Sequence, residues 1–343
     1  MTLRQFIAFH LVKGIGFKGK KELLERFNFD FKKITELLKA NKISLPFKLA
    51  DRVLEKCEKK EIEVITFKDS FYPQRLKEIQ DPPVCLFVKG KKDVLKMHQI
   101  AFVGTRRASV YGIGATEKLI SDLSRYCVSI ASGFANGIDT AAHKSALNNK
   151  MPTVAVLGCG VDVIYPRSNE KLFYKLIEKG CVISEFPPGT KPEPFRFPVR
   201  NRIISGISLG VVVVEAREKS GSMITLQHAL NQGREVFAVP GRIFDKGSIS
   251  TNNRIKNGEA KLVLNGEDIA EEFSFVAISE KSDKFFELSD DFVESYLSDS
   301  PKTIEELLGE TGLDYGQLIT KLSLLELEGK IIKNALNQYV KRV

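Results

Sequence analysis

The chain has 343 residues, 43% of them hydrophobic and 28% charged, with a formal net charge of +9. That length suits one large domain with smaller appendages and a sizeable core, and no apolar run approaches the roughly 18 residues of a membrane span. Five cysteines (Cys57, Cys85, Cys127, Cys159, Cys181) without a Cys-x-x-Cys pair, and four histidines without ligand spacing, argue against a disulfide framework, a metal site or a bound cofactor.

The first residues, Met1 to Ile7, lack the apolar stretch and cleavage site of a signal peptide, so a cytoplasmic location is expected. Residues 1–65 are predicted to be a small helical domain with a turn at Lys13-Gly14-Ile15-Gly16-Phe17. Gly-x-Gly between helices is the core of a helix-hairpin-helix, whose backbone N–H groups can hold phosphate; a plain helical turn is the competing reading. Residues 66–266 carry apolar runs at Ile100–Val103, Val128–Ala131, Thr153–Leu157, Val182–Ser184, Gly210–Val214, Glu235–Val239 and Lys261–Leu264, separated by helical patterns near 112–126, 138–148, 169–179, 199–208 and 223–232. Continuous β-branched runs alternating with helices predict a doubly wound, mostly parallel Rossmann-like α/β sheet, to which residues 62–99 add a strand or two. Residues 267–286 read as a linker, and 287–343 as three helices and a β-wing, the winged-helix pattern. Net charge is +7 over residues 1–68, +11 over 69–266 and −9 over 267–343, so a basic body suited to a polyanion carries an acidic tail.

In open α/β sheets ligands sit beyond the carboxyl ends of strands, where loop N–H groups and helix N-termini attract anions. Gly104-Thr105-Arg106-Arg107 follows the first parallel strand there, and two adjacent arginines in that place favour an anion over an ordinary connection. A dinucleotide is excluded, because Gly-x-Gly-x-x-Gly is absent and no acidic residue ends the next strand. That strand enters Ser132-Gly133-Phe134, followed by Asp139 and His143, a pair without a third partner that reads as a cap or brace for its helix. Arg167 follows the third strand. For Arg200, Asn201 and Arg202 a buried brace to Glu185 or Glu215 and direct ligand contact are equal readings. Ser220-Gly221-Ser222 opens another helix, and several such ends on one rim suit a chain of phosphates.

The series G-T-R-R-A-S-x-Y-G (104–112), S-G-F-A-N-G-I-D-T-A-A-H (132–143), G-x-D-x-I-Y-P (160–166), F-P-V-R-N-R-I-I-S-G (197–206), S-G-S-M-I-T (220–225) and V-P-G-R (239–242) closely resembles the DNA-processing protein A family, also called Smf. So does Phe71-Tyr72-Pro73 with Asp81-Pro82-Pro83. The resemblance is dense over residues 70–265. It implies a bacterial protein that binds single-stranded DNA without catalysis, forms a homodimer through its Rossmann-like domain, and loads the RecA recombinase onto DNA during natural transformation. The positions expected at DNA are Gly104, Thr105, Arg106, Arg107, Gly133, Phe134, Gly158, Gly160, Arg167, Asn169, Lys171, Arg200, Asn201, Arg202, Ser220, Gly221 and Ser222.

The alternative is a nucleotide-processing enzyme, since cytokinin-activating phosphoribohydrolases look broadly similar in topology. Their loop Pro-Gly-Gly-x-Gly-Thr-x-x-Glu ends in a carboxylate; the corresponding stretch here, Ser220 to His228, places Gln227 and His228 after Thr225 and no acid.

Overall fold

The computed structural model describes residues 1–217 and 220–277 and, beyond them, 293, 296–297, 301–311, 315–327, 329–334 and 338–341. These divide into two compact units, one of residues 1–124 and 128–273, the other of 125–127 and 274–343.

The first unit begins with four helices, α1 (Leu3–Leu11), α2 (Phe17–Arg26), α3 (Phe31–Ala40) and α4 (Phe47–Lys59). Thr2 and Gln5 form a reciprocal capping box at α1, and Asp30 caps α3 through the N–H groups of Lys32 and Lys33. The Gly14 turn between α1 and α2 has φ of +88°, a conformation only glycine adopts freely. Next come β1 (Glu63–Thr66), the short α5 (Gln74–Glu78) and β2 (Cys85–Gly90). Phe6, Ile7, Phe9, Leu24, Ile34 and Val53 share one apolar core with Leu86 and Phe87 of β2, so the helices rest on the sheet edge. His10 ties them to it: its Nδ1 accepts from the Cys85 N–H at 3.2 Å and its Nε2–H donates to the Glu185 carbonyl at 2.7 Å. Burial holds this ring neutral, lowering its pKa to about 3.

The rest of the unit alternates β3 (His98–Val103), α6 (Val110–Leu123), β4 (Val128–Ser132), α7 (Ile138–Asn148), β5 (Thr153–Val156), α8 (Glu170–Lys179), β6 (Cys181–Ser184), α9 (Arg196–Ile207), β7 (Ser208–Val213), α10 (Gly221–Asn231), β8 (Glu235–Ala238), α11 (Ile249–Lys256), β9 (Lys261–Leu262) and α12 (Glu267–Glu272). The nine strands are ordered β1-β2-β6-β5-β4-β3-β7-β8-β9. All neighbours from β6 to β9 run parallel, and β1 and β2 add antiparallel at the β6 edge. This is a mixed α/β, Rossmann-like sheet. β4 through β7 are buried at every position, which is why those runs read as continuous apolar stretches without alternation. Both α7 and α9 rest on β3, β4 and β5, which places them on opposite faces. The chain winds outward from β3 to β6, then returns to β7 on the other side of β3, making the β3/β7 boundary the topological switch point.

The second unit contains α13 (Ile304–Thr311), α14 (Tyr315–Leu327) and an antiparallel pair, β10 (Ile331–Lys333) with β11 (Tyr339–Lys341). Val293, Leu297, Leu307, Leu318, Leu322, Leu325, Ile331 and Tyr339 form its own core. The helix expected over Phe292–Leu297 lies largely outside the described residues; of the expected linker, residues 267–277 are described and begin with the helix α12, and 278–286 lie outside the described residues.

Candidate functional site

At the switch point the Gly104-Thr105 turn is sewn between two neighbours. The Thr105 N–H donates to the Glu215 carbonyl beyond β7 at 2.8 Å, and the Thr105 carbonyl accepts from the first N–H of α7, that of Ile138, at 3.2 Å. A Cβ on Gly104 would stand 2.5 Å from the Ile138 side chain, so the packing that sets the turn admits no side chain there. Gly137, with φ of +80°, closes the opposite wall; a Cβ on it would lie 2.7 Å from the Arg106 carbonyl carbon. Ser109 caps α6, accepting from the Gly112 N–H at 3.0 Å, and gives its own N–H and hydroxyl to the Glu215 carboxylate. The backbone is thereby fixed while Arg106 and Arg107 project into solvent.

Beside this turn lies a cavity of 330 Å³, within the range of about 300–1,000 Å³ usual for small-ligand pockets. Gly104 and Arg106 form one wall, Asp139 and Arg200 the floor, Phe197 and Asn201 a second wall, and Ser220, Gly221 and Ser222 at the α10 N-terminus a third. A larger groove of 480 Å³ between α2 and α3 is lined chiefly by aliphatic side chains, with Glu22, Arg26 and Asn41 the polar exceptions, and lacks the strand-end geometry of the 330 Å³ site. The Arg106 guanidinium sits 5.6 Å over the Phe197 ring, and Tyr165 packs on the same ring at 5.5 Å. Ser220 accepts from the Ser222 N–H with its hydroxyl and from the Met223 N–H with its carbonyl, and the two hydroxyls meet at 2.7 Å, at a helix start where the dipole favours an anion.

The remaining predicted positions divide by burial. Arg167, just after Tyr165, and Lys171 are exposed. Arg200 is 4% exposed; its Nη1 donates to the Gly133 carbonyl at 2.6 Å and to the Val156 carbonyl, joining the ends of β4 and β5. Burial lowers its pKa to about 10, still leaving it a cation. Arg202 points elsewhere, into ion pairs with Glu185 at 2.6 Å and Asp81 at 3.0 Å, so the brace to Glu185 is seen for Arg202 alone, while Arg200 and Asn201 line the cavity and Glu215 serves Ser109. Asn201 donates to the Gly221 carbonyl at 3.2 Å and so positions the α10 N-terminus. Phe134, with φ of 61°, is fully buried against Phe173 and His143. Asn169, also buried, donates to the Phe134 carbonyl at 3.1 Å and to Thr140 at 2.8 Å. Gly158 is pressed by Phe197, 2.8 Å from where its Cβ would be, and Gly160 by the carbonyl of Pro187 at 2.9 Å.

Asp139 and His143 do not act as a pair. His143 donates from Nδ1 to Thr153, whose own hydroxyl donates to the Ile130 carbonyl, and burial lowers its pKa to about 3. Asp139 faces the cavity instead, accepting from the Ala135 N–H; burial raises its pKa to about 6, against the pull of Arg200. Phe197 and Tyr165 were absent from the sequence prediction. The signal available was the aromatic in F-P-V-R-N-R, three residues before Arg200, at the start of a helix after a long strand-end connection.

A family model described as DNA recombination-mediator protein A matches residues 63–274. The chain belongs to this family. It is 48% identical over 207 residues to the DNA processing protein DprA of Streptococcus pneumoniae, covering 60% of this chain and 73% of that one. The DprA of Bacillus subtilis is 42% identical over 233 residues, covering 68% and 78%. Among solved structures, the S. pneumoniae protein superposes with a TM-score of 0.62 at 44% identity, over 66% of this chain and 81% of that one. A DNA processing protein A from Helicobacter pylori, solved for its single-stranded DNA binding mode, superposes with a TM-score of 0.56 at 28% identity, over 62% and 96%. The N-terminal helices and the second unit fall outside residues 63–274 for the most part.

Proposed function

We propose that this family member binds single-stranded DNA along the carboxyl rim of its parallel sheet and performs no bond-making step there. The observation that carries the reading is the convergence, around one 330 Å³ cavity, of the Gly104–Arg106 turn, the α10 N-terminus and the Phe197 ring. Backbone N–H groups and Arg106 suit a phosphate, and an aromatic face suits a base of any identity, the combination that holds single strands without reading sequence. The single-strand binding of the H. pylori relative supports the same reading. Within it, Arg167 and Lys171 extend the phosphate track, Arg200 shapes it from beneath, Arg202 braces the fold behind it, and no cofactor or metal is required.

The resemblance extends this role to a cytoplasmic homodimer, joined through the Rossmann-like unit, that transfers the bound strand to RecA, with the C-terminal unit a winged helix serving protein contact. Among the described residues no helix is long and apolar enough to cross a membrane. The deciding experiment is a salt titration of oligonucleotide binding, single strand against duplex, for the wild type and Arg106→Ala.

One observation favours a second reading, hydrolysis of a nucleotide: Asp139 places a carboxyl with a pKa near neutrality against the cavity. Its oxygen already accepts the Ala135 N–H, and the position of the hydrolase carboxylate, three residues after Thr225, is taken by His228, while the neighbouring Gln227 bonds Asn231 on the exposed side of α10. Free base released from a nucleoside monophosphate, and lost in Asp139→Asn, would establish the enzyme and refute the binder.

A further inference from the structure

The segment after β8 leaves the sheet beside the Arg106 turn and carries an anomaly. Both stems are pinned: the Tyr111 hydroxyl donates to the Pro240 carbonyl at 2.6 Å, Asn252 bonds both backbone groups of Gly241, and the Ala216 N–H donates to the Gly247 carbonyl at 2.8 Å. At the tip the Asp245 N–H closes on the Arg242 carbonyl at 3.0 Å, making a four-residue turn whose central residues are Ile243 and Phe244. These are 78% and 87% exposed. Central turn positions ordinarily take Gly, Pro, Asn, Asp or Ser, so a β-branched and an aromatic side chain displayed there are opposed both by turn preference and by hydrophobicity. Val110 and Tyr111, the first residues of α6, add further exposed apolar surface next to the stem. Arg107, Arg242 and Lys246 are exposed around them, with Asp245 the one acid of the tip.

We propose that this tip is a second contact for the same DNA strand, which leaves the Arg106 cavity, passes Arg107 and Tyr111, and stacks a base on Phe244. The proposal rests on the single-strand reading of the rim. Two arguments select nucleic acid as the occupant. A cavity of 330 Å³ houses about one nucleotide, whereas single-strand sites span about 4–16, so the strand must continue over neighbouring surface. Cations interleaved with aromatics are the composition of such surfaces, while the buried centre of a protein interface is depleted of lysine and of charge.

The test uses the full chain and fluorescence anisotropy with oligothymidylates of about 4 and about 16 nucleotides, the two ends of that range. Phe244→Ala is expected to weaken the long oligonucleotide about fivefold or more, the effect of losing one stacked base, and to leave the short one unchanged. Phe244→Trp restores the long-strand affinity. Because the side chain is exposed, the thermal midpoint stays constant. Equal affinities of wild type and Phe244→Ala for the long strand would overturn the proposal, as would a change of oligomeric state in the variant, which assigns the tip to a contact between copies. Arg106→Ala separates the two levels: if it leaves binding of both lengths unaltered while Phe244→Ala weakens the long strand, the rim reading fails and with it the shared path, and Phe244 is a DNA contact of its own; if Arg106→Ala weakens both lengths and Phe244→Ala neither, the rim reading holds and the tip proposal fails.

Discussion

Arg106→Ala is the sharpest perturbation of the site. The guanidinium is exposed, ring-supported by Phe197, and paired with no carboxylate among the described residues, so its charge is free to meet a phosphate. A charge-assisted hydrogen bond contributes about 1.5–3 kcal/mol, which predicts a loss of about 10- to 150-fold in affinity at low salt. Each phosphate neutralised on a single strand contributes about −0.7 to the slope of log affinity against log salt, so the variant has a slope shallower by about 0.7 and closes on the wild type by about fivefold for each tenfold rise in salt. Arg106→Lys keeps the slope but loses the planar fork and much of the ring contact, and is expected between the two. Anisotropy titrations of labelled oligothymidylate over a salt series measure all three. Parallel slopes for wild type and Arg106→Ala would refute the placement of a phosphate at this turn, whatever the affinities.

Gly137→Ala forces a Cβ into a glycine-only conformation and against the Arg106 backbone; it should cost about 1–3 kcal/mol of stability and displace the turn, read as a lower thermal midpoint together with weakened DNA binding. Asp139 has its pKa raised from 3.8 to about 6, so its stability contribution is complete below 3.8 and lost as pH rises through 6, about 3 kcal/mol in all. Urea unfolding of wild type against Asp139→Asn across that window should show the difference, and since a bound phosphate favours the protonated carboxyl further, wild-type DNA affinity should rise on acidification while that of the variant stays flat. Arg202→Met leaves Glu185 charged and buried, a loss of about 3–5 kcal/mol in urea unfolding, and adding Glu185→Gln should recover much of it; no recovery would contradict the pairing.

The sheet was legible because a strand buried on both faces needs an unbroken apolar run, and six of the seven parallel strands, β3 to β8, supplied one, whereas β9 is a two-residue exposed edge strand. The two antiparallel strands were located only as a region, since β1 and β2 do not belong to the repeating strand–helix alternation that marks the parallel ones. Within the site the backbone positions were easier to read than the side chains. Gly104 and Gly137 announce close approach through the absence of a Cβ, a property of one residue. Burial is a property of the whole fold, and so Phe134, which looks like a base contact in S-G-F, lies behind its own strand end against Phe173. Asp139 and His143, one helical turn apart, invite pairing; His143 turns to Thr153 of β5 and Asp139 to the cavity, a separation fixed by strand order rather than helix spacing.

Arg106, Arg200 and Arg202 illustrate why one residue type serves two ends. Arg200 and Arg106 both approach the Phe197 ring, at 6.0 and 5.6 Å, yet one is buried and the other exposed. A buried guanidinium must spend its fixed fork on protein acceptors, and Arg200 spends it on the carbonyls of Gly133 and Val156, drawing two strand ends together. Arg202 does the same between Glu185 and Asp81, tying the end of β6 to the segment before β2. Neither is free to turn to a ligand without leaving polar groups unpaired, which costs more than a phosphate contact returns. The rim is therefore set in advance, and on the proposed reading the ordering cost of binding falls on the DNA and on exposed side chains such as Arg106, Arg107, Arg167 and Lys171. It follows that substitutions at Arg200 and Arg202 should act first on stability and those at the exposed residues on affinity and salt dependence alone.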